Sequence, residues 1–319
     1  MTNIRDLAKM AGVSVTTVSR VLNHHPYVNE EKRQAVLEAI RVTNYHKNIN
    51  AVHLSKGKTQ LLGVVIPFSD HPYFALLLKG IAKLAFDHNY KLVVFQTDYL
   101  VSREMEALQM LKHKQIDALI ICSRTSDMAI IEEHLPYGAI VLCENLEEKR
   151  LSTTFVNHYK IFFDALVYLY NKGHRRIGYC IGRKSGSNSQ HRERAYRDFL
   201  KKYKLPHHPF YIMDECFHFE DGEKVINRIM ELDTAPSALL VTSDQVAAGM
   251  VTCCQNHNIS IPGDLAIIGF DNEPIAKMMN ITTIEIPLVE MGKNLFLQAI
   301  SKDVSKKEMS VKLIERATV

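Results

Sequence analysis

Apolar and polar positions follow two different periods along this chain. Residues 3–23 read NIRDLAKMAGVSVTTVSRVLN, with apolar groups at helical spacing on both sides of a glycine. That pattern predicts two short helices joined by a tight turn at Gly12, with Ala8, Ala11, Val13, Val18 and Leu22 as a small interior. Asn3 and Ser14 stand where N-caps belong, and Asp6 follows Asn3 by three residues, favouring the positive helix end. A third helix is predicted from Asn29 to about Asn44, with Val36, Leu37 and Ile40 on one face. Residues 47–59 are short and polar and read as a linker holding a brief helix over 50–56, too short to persist alone in water. From Leu61 the pattern changes to continuous apolar runs at 61–67, 91–97, 118–123, 139–144, 175–182, 238–243 and 266–270. Amphipathic stretches separate them, among them 73–89, 161–172, 191–204, 222–232 and 245–257. Strands apolar on both faces, alternating with helices, predict an α/β fold of parallel sheets covered on both sides. Seven or more units suit two open sheets better than one, with a break near Asn157.

Charge sharpens the reading of the first segment. The chain has 319 residues, 46% hydrophobic, with a formal net charge of +4. Residues 1–60 hold nine Lys/Arg against four Asp/Glu, leaving the remainder at −1. A capped, helical, basic head on a near-neutral body points to a polyanion bound by the head. The second helix carries Val15, Thr16, Thr17, Ser19 and Arg20, short groups with one long cation, a set that lies flat in a DNA major groove.

Six cysteines are present, none in a C-x-x-C pair, so reduced buried thiols are expected and no metal site. The start lacks a signal peptide and no apolar run approaches the ~20 residues of a bilayer span, which predicts a soluble cytoplasmic protein without a membrane partner. In open parallel sheets ligands collect at the carboxyl ends of strands, here 68–74, 97–98, 123–124, 182–188, 243–244 and 270–272. The competing classes are an α/β enzyme and a sugar-binding module without gene control. Neither a dinucleotide nor a phosphate-loop glycine motif is present, nor a G-x-S-x-G elbow or H-E-x-x-H pair, and no cofactor is implied.

In order and spacing, NIRDLAKMAGVSVTTVSRVLN, GHRRIGYCIG (173–182), LVTSDQVAAG (240–249), IPGDLAIIGFDN (261–272), ITTIEIP (281–287) and LIERATV (313–319) resemble the lactose-repressor (LacI/GalR) family of bacterial transcription regulators. The resemblance implies a helix-turn-helix head at 1–46, a hinge at 47–59 and a periplasmic-binding-protein-like core at 60–319. The core would comprise one subdomain of about 60–157 plus 288–312 and another of about 158–287 plus 313–319. It implies a repressor that binds near-palindromic operator DNA as a homodimer under a small-molecule effector, a sugar or sugar phosphate rather than a purine. By carry-over, Val15, Thr16 and Arg20 would read bases, Ser14, Thr17, Ser19 and Asn23 would hold phosphates, and Leu54 would wedge into the minor groove. Lys47 and Val52 depart from the family's hinge pattern. Tyr73, Phe74, Asn188, Arg192, Phe217, Asp244 and Asp271 match its effector cleft. Arg183 and Lys184 read as a solvated loop. Induction and corepression both stay open on the residues alone.

Overall fold

The computed structural model describes residues 2–46, 57–146 and 150–319. The expected hinge helix over 50–56, with Lys47, Val52 and Leu54, lies outside the described residues. The chain divides into two compact units, Met1–Thr59 and Gln60–Val319.

The first unit contains helices α1 (Ile4–Met10), α2 (Val15–Leu22) and α3 (Glu30–Thr43). Asn3 and Asp6 form a reciprocal capping box: the Asn3 side chain accepts from Arg5 N at 2.8 Å and Asp6 N at 3.2 Å, and Asp6 accepts from Asn3 N at 3.0 Å. Gly12 takes φ +61°, the left-handed conformation that lets the chain reverse into α2 without a Cβ penalty. Leu7, Ala8, Val18, Val21, Val36 and Ala39 form the buried core, with Ala11, Val13, Leu22 and Ile40 half-buried at its margin. Ala8, Val18 and Val36 thus hold the core positions expected of them, and Leu7, Val21 and Ala39 widen the packed stripe. Leu7 and Val21 are buried inside it, whereas Leu37 is 45% exposed.

The second unit runs β1 (Leu61–Ile66), α4 (Pro72–Asp87), β2 (Lys91–Gln96), α5 (Val101–Lys112), β3 (Ala118–Ile121), α6 (Met128–His134), β4 (Ala139–Leu142) and β5 (Ser152–Phe155). It continues with α7 (His158–Asn171), β6 (Ile177–Cys180), α8 (Ser187–Tyr203), β7 (Ile212–Met213), α9 (Asp221–Met230), β8 (Ala238–Val241), α10 (Asp244–Asn256), β9 (Ala266–Phe270) and α11 (Pro274–Met278). It closes with β10 (Thr282–Glu285), α12 (Leu288–Ile300), β11 (Lys306–Glu308) and β12 (Lys312–Ile314). Two six-stranded sheets result, in the orders β11-β5-β4-β3-β1-β2 and β12-β10-β9-β8-β6-β7. All pairings are parallel except the edge strand β12, which is antiparallel to β10. Strands β3, β8 and β9 are buried at every position, as expected of strands covered on both faces.

The chain crosses between the lobes three times: after β5, after β10, and between β11 and β12. The second crossing sends α12 back onto α4 in the first lobe. A Cβ built at Gly80 would stand 2.0 Å from the Val289 carbonyl oxygen, and one at Gly292 would stand 2.1 Å from that of Leu77. The two helices therefore meet backbone to backbone. At the chain's end, Thr318 is stitched to the second sheet: its carbonyl accepts from Ile267 N at 2.8 Å, and its hydroxyl donates to Ile267 O at 2.6 Å.

Strand β5, reading STTF, falls outside the apolar runs because of its hydroxyls, yet it is fully buried. Two of its three hydroxyls are paired inside: Thr154 Oγ1 donates to Gln298 Oε1 at 2.9 Å, and Ser152 Oγ accepts from Ser305 N at 3.1 Å, while Thr153 Oγ1 has no partner among the described residues.

Candidate functional site

In the head, Ser14 sets the start of α2 by accepting from Thr17 N at 3.2 Å. The helix thereby turns Val15, Thr16 and Arg20 outward, all exposed, while Val18 and Val21 enter the core. Thr17 and Ser19 are half-buried, and Ser14 and Asn23 are exposed. Ser14 Oγ lies 3.0 Å from Thr17 Oγ1, and Asn23 Nδ2 donates to Ser19 Oγ at 3.5 Å. The groups assigned to bases thus stand on the open face of α2, and those assigned to phosphates sit at its two ends and along its flank.

In the core, a cavity of about 540 Å³ lies between the two sheets. Every wall comes from the carboxyl end of a strand, where consecutive βα loops splay apart. The loops after β1 and β4 bring His71, Tyr73, Phe74 and Cys143, and the loops after β6, β7 and β9 bring Asn188, Arg192, Phe217 and Asp271. Six of the seven residues expected there are brought together: Tyr73, Phe74, Asn188, Arg192, Phe217 and Asp271.

Asp244 does not line the cavity. It is fully buried behind it, where its carboxylate accepts from Glu273 N at 2.8 Å and Thr283 Oγ1 at 2.7 Å. Asp244 therefore anchors the loop that carries Asp271, and the wall position belongs to its neighbour Ser243. Ser243 is 3% exposed, and its hydroxyl has no partner among the described residues.

Asn188 Oδ1 and Arg192 Nε on the wall are likewise buried without a partner among the described residues. Buried polar atoms of this kind are costly unless something pairs with them, and these three stand at the cavity surface.

Arg192 donates from Nη2 to His158 Nδ1 at 3.3 Å. Burial, with Arg192 and His191 nearby, holds His158 far below the usual imidazole range and thus neutral. Asp271 sits at φ +95°. Burial, with Glu273 and Asp244 beside it, pushes its carboxyl well up, while Arg192 pulls it down. Burial also pushes Asp244 and Glu273 up to about 7 each. The groups facing this cluster are Arg192, Arg316, Gln245 and Thr283.

A carboxyl whose folded value is raised binds its proton more tightly in the folded state. Its stabilising contribution is complete below the unfolded value of about 4 and is lost as pH rises through about 7. Glu273→Gln, which mimics the protonated form, should therefore gain on the wild type in thermal melts between pH 5 and pH 8. A stability difference that is the same at both pH values refutes the shift.

The mouth of the cavity holds contacts between the lobes that the sequence did not mark. Arg183 donates from Nη2 to Arg124 O at 2.8 Å and Ser123 Oγ at 3.1 Å, across from the other lobe, and its guanidinium lies 4.0 Å over the Tyr99 ring. It is bound to the opposite lobe, in contrast to the solvated reading; Lys184 alone fits that reading, exposed and paired with Asp214 at 3.0 Å. Arg124 pairs with Glu144 at 2.6 Å, and Glu144 also accepts from Ser187 Oγ at 2.5 Å. These partners are 20 to 60 residues apart, so no local spacing signals them.

Residues 3–48 match the family model described as bacterial regulatory proteins, lacI family, and residues 166–319 match a periplasmic binding protein-like domain. Among curated relatives, the uncharacterized HTH-type transcriptional regulator YkvZ of Bacillus subtilis is 40% identical over 100% of both chains. The NTD biosynthesis operon regulator NtdR of the same organism is 36% identical over 100% of this chain and 98% of its own. A solved LacI family regulator from Lactobacillus casei with bound glucose covers 81% of this chain and 99% of its own, with TM-score 0.73 and 24% identity, a likeness of fold. Among the described residues no helix is long and apolar enough to cross a membrane.

Proposed function

The chain belongs to the LacI family of bacterial regulators, and from that premise we propose that it represses transcription as a homodimer on a near-palindromic operator, governed by a small molecule held between its sheets. It is a transcriptional regulator and not an enzyme. The observation that carries the effector reading is the cavity wall, where Ser243, Asn188 and Arg192 keep buried polar atoms without partners among the described residues. A sugar or sugar derivative fits such a wall. Its hydroxyls both donate and accept, its ring faces pack on Phe74 and Phe217, and Arg192 and Asp271 can grip paired hydroxyls in two-pronged fashion. The glucose in the Lactobacillus casei neighbour supports that choice.

In the mechanism, effector binding changes the tilt between lobes and so alters how two copies pair. The spacing of the two heads changes with it. The coupling is the difference in effector affinity between DNA-competent and DNA-incompetent states. Arg20 would make forked bonds to guanine, Val15 and Thr16 would meet neighbouring bases, and Leu54 would act as the minor-groove wedge. The protein would work in the cytoplasm, where operators are.

The test is selection of genomic fragments on the purified chain, with and without sugars, sugar phosphates and nucleobases, after thermal-shift screening against the same set. Recovery of one near-palindromic sequence, whose retention responds to a compound that raises the melting temperature, supports the reading. A chain that stays monomeric and retains no fragment preferentially, with or without those compounds, overturns it. On the recovered operator, Arg20→Ala should cost about 1–3 kcal/mol and flatten the penalty for base changes at one position per half-site. An unchanged mismatch profile in competition gel shifts would remove Arg20 from base reading.

A further inference from the structure

The near-neutral charge of the body conceals a strongly divided surface. Residues 158–208 contain twelve Lys/Arg and three Asp/Glu, a net +9, so the rest of the chain beyond residue 60 carries −10. This segment contains α7 and α8, which pack side by side on one face of the second sheet, with Phe163 and Tyr170 of α7 against Phe199 of α8. Arg183 and Arg192 turn into the cavity, and the other cations are on the surface.

The charge is concentrated where the two helices end. Lys201, Lys202 and Lys204 are exposed at the end of α8, and Arg175 and Arg176 are exposed just beyond α7. Tyr170 and Tyr203 meet there with ring centroids 4.2 Å apart. Arg175 lies 3.7 Å over Tyr170, and Lys202 lies 5.4 Å over Tyr203 and 5.2 Å over Phe163. The rings thus seat the charged groups of Arg175 and Lys202 directly, and Arg175 and Arg176 also donate to the carbonyls of Tyr170 and Ala235 at 2.8 Å each, while Lys201 and Lys204 stand exposed beside them.

Complementing two helix dipoles takes one or two cations in the last turn; Arg175 fills that role for α7 through the Tyr170 carbonyl and Arg176 is held by that of Ala235, and the three exposed lysines at the end of α8 exceed what its dipole needs. A protein-docking surface would need an apolar centre depleted in charge. Here no large hydrophobic residue between 158 and 208 is exposed. Phosphate contact needs only spaced cations on a solvated face.

We propose that this face is a second, sequence-independent contact for duplex DNA, on the sugar-phosphate backbone outside the operator. The proposal rests on the chain being a DNA-binding regulator and goes beyond its operator contact.

The probe is a fluorescein-labelled 30-base-pair duplex of mixed, non-operator sequence, titrated with the full chain at several salt concentrations. The variant K201E/K202E/K204E should bind it at least tenfold more weakly at low salt. The slope of log affinity against log salt should become shallower by about 0.9 for each phosphate that the variant no longer neutralises. A control with the same change in net charge, K79E/K302E/K307E, reverses exposed lysines of the first lobe and should shift affinity less than twofold. The neutral K201Q/K202Q/K204Q variant provides the reading if the reversed chain melts early. Arg20→Ala should lower operator preference without altering the difference between the two lysine triples, so failure of the operator reading and failure of this proposal look different. Equal effects of the two triples, or none, overturn the proposal. Binding of a labelled twelve-residue polyglutamate peptide as tightly as the duplex also overturns it, in favour of an acidic protein partner.

Discussion

Gly292→Ala is expected to lower the melting temperature by about 5–10 °C, an effect of about 2–3 kcal/mol in a chain of this size. The cause is the crossing of α4 and α12, where the added methyl would stand 2.1 Å from the Leu77 carbonyl oxygen. That oxygen belongs to a helix backbone and cannot swing aside, so the helices must separate and the packing around Leu77, Ile81, Met291 and Leu295 loosens. Helix propensity works the other way, since alanine is favoured over glycine by about 1 kcal/mol inside a helix. Propensity alone therefore predicts a rise, and the sign of the shift decides between the two effects. Gly80→Ala should behave alike, with Val289 O only 2.0 Å away. Ala82→Gly, at an exposed position of the same helix, should cost only the propensity difference. A neutral or stabilising Gly292→Ala in calorimetry would mean that the helices do not meet backbone to backbone.

Arg192→Ala and Asp271→Ala should each weaken effector binding by about 30-fold or more, at least about 2 kcal/mol, and abolish effector control of operator affinity. Each removes one member of a pair facing the same space and leaves the other buried. Arg192→Ala would leave Asp271 among the carboxyls of Asp244 and Glu273, and Asp271→Ala would leave Arg192 with neutral His158 as its main support. Operator affinity without effector should stay within about threefold of wild type, because the head has its own core. Isothermal titration with the compound found by thermal shift, alongside gel shifts, separates the two quantities. A normal response in either variant would take that residue out of the site. Ser243→Ala tests the wall position that replaces Asp244: it should weaken the effector, whereas Asp244→Asn should chiefly alter stability.

How much of this was legible depended on how local the cause was. The head could be read because caps, turn glycine and apolar spacing all lie within about twenty residues. The strands at 61–66, 118–121 and 266–270 could be read because burial on both faces leaves no polar position. Strand β5 could not, since the partners of its Ser152 and Thr154 hydroxyls, Ser305 and Gln298, lie about 150 residues away. Asp244, expected in the cleft, stands behind the wall that Ser243 lines, for a related reason. Both follow β8, and only the positions of Thr283 and Glu273 show that the carboxylate is turned inward. Arg183 looked like a loop cation because Tyr99 and the Arg124 carbonyl, which hold it, come from the other lobe. Glu104 was equally silent in the sequence. It is fully buried in α5 and accepts from Thr125 N at 2.8 Å and Ser126 N at 3.1 Å, fixing a cavity loop from behind.

The late crossings of the chain bear on its synthesis. α12 and β11 complete the first lobe and β12 the second, so neither sheet has all its strands until residues 306–314 have been made. The head's buried core, by contrast, ends at Ala39. At about 5–20 residues per second, a ribosome would take roughly 15–50 s to make the rest after the head has emerged. During that interval the nascent polypeptide carries a finished DNA reader attached to two unfinished sheets. A premature stop anywhere between the head and β12 would therefore release a folded head attached to an incomplete effector-binding body.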